Sequence, residues 1–164
     1  MQTEPHPEHI WLQRFVGDWT IEIQAVMGPG EPPTTHTGRE TVRSLGGLWI
    51  VAEGHGETPG GSFDSILTLG FDPQRRRFVG SFIASVMTHF WIYEGALDAA
   101  GKVLTLDCEG PVFGAEGKTT RYQDVHTWVS ENERTLTGKI LGPDGQWQDM
   151  MTSRYRRVRR TATQ

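Results

Sequence analysis

Gly17-Asp18-Trp19-Thr20-Ile21-Glu22-Ile23-Gln24-Ala25 alternates without interruption and places Trp19, Ile21, Ile23 and Ala25 on one face. A period of two is the mark of a strand with one buried side. Just before it, the segment from Glu8 to Val16 carries Ile10, Trp11, Arg14 and Phe15 at helical spacing, and Gly17 stops the run. The expectation is a short helix over 8–16 that delivers the chain into a first strand.

The same alternation continues to the end of the chain, in runs near Arg39–Leu45, Leu48–His55, Ser62–Phe71, Phe78–Met87, Phe90–Leu97, Val103–Glu109, Thr120–Val129, Leu136–Leu141 and Trp147–Val158. Each break has turn chemistry: Gly28-Pro29-Gly30-Glu31-Pro32-Pro33, Gly46-Gly47, Pro59-Gly60-Gly61, Asp72-Pro73, Asp98-Ala99-Ala100-Gly101, Glu131-Asn132-Glu133 and Pro143-Asp144-Gly145. Gly supplies positive φ there and Pro a fixed φ. About ten strands with no helix between them exclude parallel crossovers. The spacing predicts an all-β, up-and-down antiparallel barrel, its short N-terminal helix capping one end. At 164 residues the chain reads as one domain (1–164), with the barrel over 17–158 and a basic tail over 159–164.

Composition narrows the function classes. The formal charge of −4 argues against nucleic acid as a partner, although five of the seven residues Arg154 to Arg160 are Arg. That local run reads as a solvated strand end. Cys108 is the single cysteine, which excludes an internal disulfide and a thiolate metal cluster and suits a reducing, cytoplasmic setting. The polar start, Met1 to Pro7, lacks a signal-peptide run, and no stretch nears the roughly 20 apolar residues of a membrane span.

The opening Gly17-Asp18-Trp19 after a short helix resembles that of the calycin barrels, the lipocalin and fatty-acid-binding group. The resemblance implies a Trp19 packed at the closed end beneath an Arg of the last strand, Arg154 or Arg156. Further phrases are similar to the bacterial family called domain of unknown function 1579. They are Gly47-Leu48-Trp49-Ile50-Val51-Ala52-Glu53, Leu69-Gly70-Phe71-Asp72, Phe78-Val79-Gly80-Ser81-Phe82 and Tyr93-Glu94-Gly95-Ala96-Leu97-Asp98. This resemblance supports a barrel fold and brings no activity. The haem-binding nitrobindin relatives open on Gly-x-Trp-x-Gly-x-Gly and take their iron ligand from near the C-terminus. Here Ile21 and Ile23 stand where those glycines would be, and no His follows His126. No cofactor and no metal is expected.

Alternation also proposes which polar residues share a face with aromatics. Trp49, Val51, Glu53 and His55 form one such set, Trp91 and Tyr93 a second, and Tyr122, Asp124, His126 and Trp128 a third. An inward Asp124 could hold His126, and a buried Glu53 would require a partner such as Arg39, Arg43, His126 or Tyr122. Met150-Met151 places one thioether on each face, Met151 being taken as the inward one. The candidate ligand-binding residues are Trp49, Glu53, Trp91, Tyr93, Tyr122, Asp124, His126 and Met151. A metal site from His55, His89 and His126 would need all three to point inward. Asp64, Asp72 and Asp98 fall at turns, where carboxylates cap backbone donors.

Gly117-Lys118-Thr119 lacks the earlier glycine of a phosphate loop, Val112 standing in its place, and there is no Gly-x-Ser-x-Gly elbow. Three readings of the container follow. It binds a small apolar or aromatic ligand; it is an enzyme with Asp124–His126 or Glu53 as general base; or its interior is filled by its seven Phe and six Trp. The absence of a catalytic constellation leans the reading away from an enzyme and toward binding. Outward Val79, Ile83 and Ile66 would suit a homodimer.

Overall fold

The computed structural model describes residues 3–26 and 31–159. The Gly28-Pro29-Gly30 break and the tail from 160 onward lie outside the described residues. The chain enters through α1 (Pro7–Leu12) and a 3-10 turn (Gln13–Phe15). Ten strands follow: β1 (Gly17–Ala25), β2 (Thr34–Leu45), β3 (Trp49–Thr58), β4 (Gly61–Asp72), β5 (Arg77–Ala84), β6 (Trp91–Leu97), β7 (Val103–Pro111), β8 (Thr119–Ser130), β9 (Glu133–Leu141) and β10 (Trp147–Arg157). Each pairs antiparallel with its sequence neighbours, and β1 pairs with β10, so the sheet closes on itself. Closure satisfies both edges that an open meander would leave bare. Strand β2 begins five residues before the alternation becomes legible, because Thr34 to Gly38 is polar on both faces yet pairs with β1 from Ala25 to Ile21.

Helix α1 closes one end. Leu12 and Phe15 are fully buried beneath it, and Trp11 donates its indole N–H to Gly101 O at 2.8 Å. Trp19 donates to Phe15 O at 2.8 Å, tying the first strand to the cap. The Arg157 guanidinium lies 4.3 Å from the Trp19 ring centroid. Its two terminal nitrogens also donate to Val16 O at 2.7 Å and Arg14 O at 2.8 Å. The stacking residue is therefore Arg157, not Arg154 or Arg156. Trp19 faces Arg157 directly in the β1–β10 register, and the two expected arginines have the opposite parity and point outward.

A second guanidinium, unforeseen from the sequence, sits deeper. Arg134 is 1% exposed and lies 3.9 Å from the Tyr155 ring, 4.6 Å from Trp19 and 4.8 Å from Phe15. It donates to Glu40 Oε1 at 2.6 Å. A buried charge of this kind is tolerated only when paired. Its signal was present, since Arg134 shares parity with Leu136 and Glu40 with Val42, both buried.

Asp72 Oδ1 accepts from the backbone of Gln74 and Arg75, and Asp98 Oδ1 from Lys102 and Val103, the turn-capping roles expected of them. Those backbone donors hold the Asp98 carboxyl below its usual pKa. Asp64 instead accepts from the ring of His55 at 2.7 Å on the outer face. Ile66 and Ile83 pair across β4 and β5 on the outside, 40% and 44% exposed. Among the described residues no helix is long and apolar enough to cross a membrane.

Candidate functional site

The packed aromatic floor fills the capped half of the barrel and leaves the other half hollow. A cavity of about 260 Å³ remains between the strands. An apolar cavity of about 150 Å³ already accepts benzene, so this one is large enough for a molecule of more than one ring. Phe63, Phe82, Trp91, Tyr93 and Tyr122 supply aromatic wall, and Ile21, Ile23, Met87, Met150 and Met151 fill in between.

Several glycines give these rings their room. A Cβ on Gly110 would come within 2.2 Å of the Trp91 ring, and one on Gly56 within 2.4 Å of Phe63. The absent side chain lets each indole or phenyl lie flat on the neighbouring strand. Trp91 is fixed further by its N–H to Met87 Sδ at 3.0 Å and an edge contact with Tyr122, ring centroids 5.0 Å apart. The Tyr122 hydroxyl donates to Pro111 O.

Six of the eight residues proposed from the sequence face this cavity: Trp91, Tyr93, Tyr122, Asp124, His126 and Met151. Trp49 and Glu53 do not. On β3 the inward set is Ile50, Ala52, Gly54 and Gly56, so the odd-numbered residues point out. Trp49 is 40% exposed, its ring covering Gly70 on the barrel's outer surface, where a Cβ would lie 2.3 Å away. Glu53 is exposed and needs no buried partner. The alternation was legible on that strand, but its aromatic end advertised the wrong side. Nor does Met150 point away from Met151. A bulge between Asp149 and Met151 lets both thioethers line the cavity.

The polar groups inside are few. Tyr93 donates its hydroxyl to Asp124 Oδ2 at 2.5 Å. Burial drives the Tyr93 hydroxyl well above its ordinary pKa, with the Asp124 charge adding to it. Burial also raises the Asp124 carboxyl, against a downward pull from the Tyr93 hydrogen bond. Asp124 therefore holds Tyr93 and not His126. The His126 ring packs edge-on against Phe15 at 5.8 Å, its Nδ1 is buried with no partner, and burial together with Arg134 lowers its pKa to about 3. An imidazole with that affinity for protons stays neutral and makes a weak general base at neutral pH. Cys108, on the wall beside them, is pushed up to about 12 by burial and by Asp124.

His55, His89 and His126 are not gathered. His55 is engaged by Glu57 and Asp64 outside, and His89 bonds Glu109 O at 3.1 Å. Among the described residues no group of three His, Cys, Asp or Glu side chains could hold a metal ion. The inward side chains of β10, Met151, Ser153, Tyr155 and Arg157, offer no imidazole for a haem iron.

The same barrel occurs in the crystal structure of Rv2717c from M. tuberculosis. It aligns with a TM-score of 0.66 at 12% identity over 95% of this chain and 100% of that one. A redesigned β-barrel, mFAP0, bound to DFHBI, aligns with a TM-score of 0.48 at 12% identity over 88% of this chain and 100% of that one. At such identity the likeness to Rv2717c speaks to the fold alone. Among curated proteins none matches the chain. The sequence profile described as "Protein of unknown function (DUF1579)" matches residues 4–157, the barrel together with its helical cap, and the chain belongs to that family.

Proposed function

We propose that the protein binds a small, largely apolar or aromatic molecule inside the barrel, between Trp91, Tyr93, Tyr122 and the methionines, with Asp124 orienting its polar group. The observation that carries this reading is the cavity of about 260 Å³ bounded by aromatic side chains, with the hydrogen-bonded Tyr93–Asp124 pair on its wall. A shell of rings with few convergent polar groups is the common make-up of small-molecule sites. Neither general base weighed from the sequence gains support: Glu53 faces solvent, and Asp124 is not bonded to His126. To the same proposal belong a cytoplasmic setting, no nucleic-acid partner, and a homodimer through Ile66 and Ile83, which equilibrium sedimentation checks.

The test is a titration with 1-naphthylmethanol, followed by the methyl resonances of Met87, Met150 and Met151. Saturable shifts in these methyls, without a shift in the Trp49 indole signal, support the reading. Shifts confined to outer-face residues, or none at all, overturn it. A folded Met151→Trp variant, which fills the cavity, should lose the response.

A further inference from the structure

The geometry points to an organic cation, a small aromatic ammonium compound, as the class of ligand this cavity takes. This rests on the proposal that the cavity binds a ligand and names that ligand's charge. The Tyr93 hydroxyl donates to Asp124 Oδ2 at 2.5 Å, a hydrogen bond that favours the ionised carboxylate against the opposite pull of burial. Oδ1, the other oxygen, accepts nothing from the described residues.

Gly138 stands opposite Asp124 on the neighbouring strand, where a Cβ would crowd Met151 Cγ at 3.1 Å and lie in ordinary contact with Oδ1 at 3.7 Å. A charged oxygen facing an apolar cavity calls for a positive partner or a strong donor. The other charges inside do not compete for that role. Glu40, also on the cavity wall, is held by Arg134. His126 presents a neutral imidazole, which would not repel a cation. The surrounding rings of Trp91, Tyr93 and Tyr122 are the faces on which ammonium groups are held in aromatic cages.

The approach has the same sign. At the end opposite the helix, the turns and strand ends carry Glu31, Glu57, Asp64, Glu109, Glu116, Asp144 and Asp149 against Arg39, Lys118, Arg121 and Lys139, with His55 held between Glu57 and Asp64. An acidic mouth raises the local concentration of cations and disfavours anions.

Three probes of similar size decide it by calorimetry at pH 7: 1-naphthylmethylamine as its ammonium, 1-naphthylmethanol, and 1-naphthoate. The ammonium should bind at least ~10-fold tighter than the alcohol, with the carboxylate weakest. Asp124→Asn should bring the ammonium to within about 3-fold of the alcohol, the ammonium losing more affinity than the alcohol. Tyr93→Phe, which keeps the carboxylate, should preserve the preference for the ammonium and guards against a poorly folded Asn variant. An alcohol that binds as tightly as the ammonium, or a preference that survives Asp124→Asn, overturns the cation assignment and leaves the cavity reading standing. Failure of all three probes to bind overturns both.

Discussion

Arg134 and Glu40, separated by 94 positions in the chain, meet through a 2.6 Å hydrogen bond on the floor of the barrel, with the guanidinium stacked among Phe15, Trp19 and Tyr155. The pair joins β9 to β2, which lie on either side of the β1–β10 closure. Removing one partner strands a charge out of water. Glu40→Ala should therefore destabilise the fold by about 3–5 kcal/mol in urea melts, and the double variant Glu40→Met/Arg134→Met should lose less than either single change. A double variant as weak as the sum of the singles would refute this.

The outer arginine acts differently. Arg157 anchors the helical cap through backbone carbonyls of Arg14 and Val16 while covering Trp19. Arg157→Ala should cost about 2 kcal/mol and raise amide exchange over 7–15 before the rest of the barrel opens. Arg157→Lys should recover less than half of that, since an ammonium cannot reproduce the two-pronged fork.

Acid should weaken the protein through His126. Its folded-state pKa of about 3 lies below the ordinary 6.5, so the unfolded chain binds a proton that the folded chain refuses. The neutral form favours folding above 6.5, and that stability drains away as pH falls from 6.5 toward 3. Asp124 works in the opposite direction, its raised pKa favouring folding at lower pH, so the comparison is made between variants. His126→Leu should flatten the decline of stability between pH 6 and pH 4. In the parent protein the His126 ring should show no NMR titration step between pH 5 and pH 8.

Cys108 should react slowly. Its thiol is half-buried on the cavity wall with its pKa pushed up to about 12. Because the thiolate is the nucleophile, a disulfide reagent at pH 8 should modify the folded protein at least ~100-fold more slowly than the protein in denaturant. Naphthyl compounds in the cavity should slow it further.

Trp49 and Trp91 separate the two faces of the barrel. Trp91→Ala should enlarge the cavity and weaken naphthyl binding at least ~5-fold, with a cost of about 3 kcal/mol in stability. Trp49→Ala, uncovering Gly70 on the outside, should leave the binding constant unchanged within error. Equal effects on binding from the two substitutions would contradict the assignment of faces.

The barrel was legible because local alternation, turn chemistry and the lack of crossover helices all gave one answer. The resemblance to the calycin barrels implied a last-strand arginine over Trp19, and that arginine is Arg157 rather than Arg154 or Arg156. Parity on β3 was not legible. Both faces of Trp49-Ile50-Val51-Ala52-Glu53 are apolar enough to be buried, and the glycines at 54 and 56, which yield space to Ser65 and Phe63 respectively, carry no pattern of their own.

Sequence by itself settled the closed antiparallel meander and its cap, because those depend on periodicities of a few residues and on φ angles that Gly and Pro impose locally. Tertiary structure alone decided which side chains meet: Tyr93 with Asp124, Arg134 with Glu40, and both methionines in one cavity through a bulge. A strand can present either face to the core at almost no local cost. Only the packing of all ten strands around one floor makes one choice lower in energy than the other.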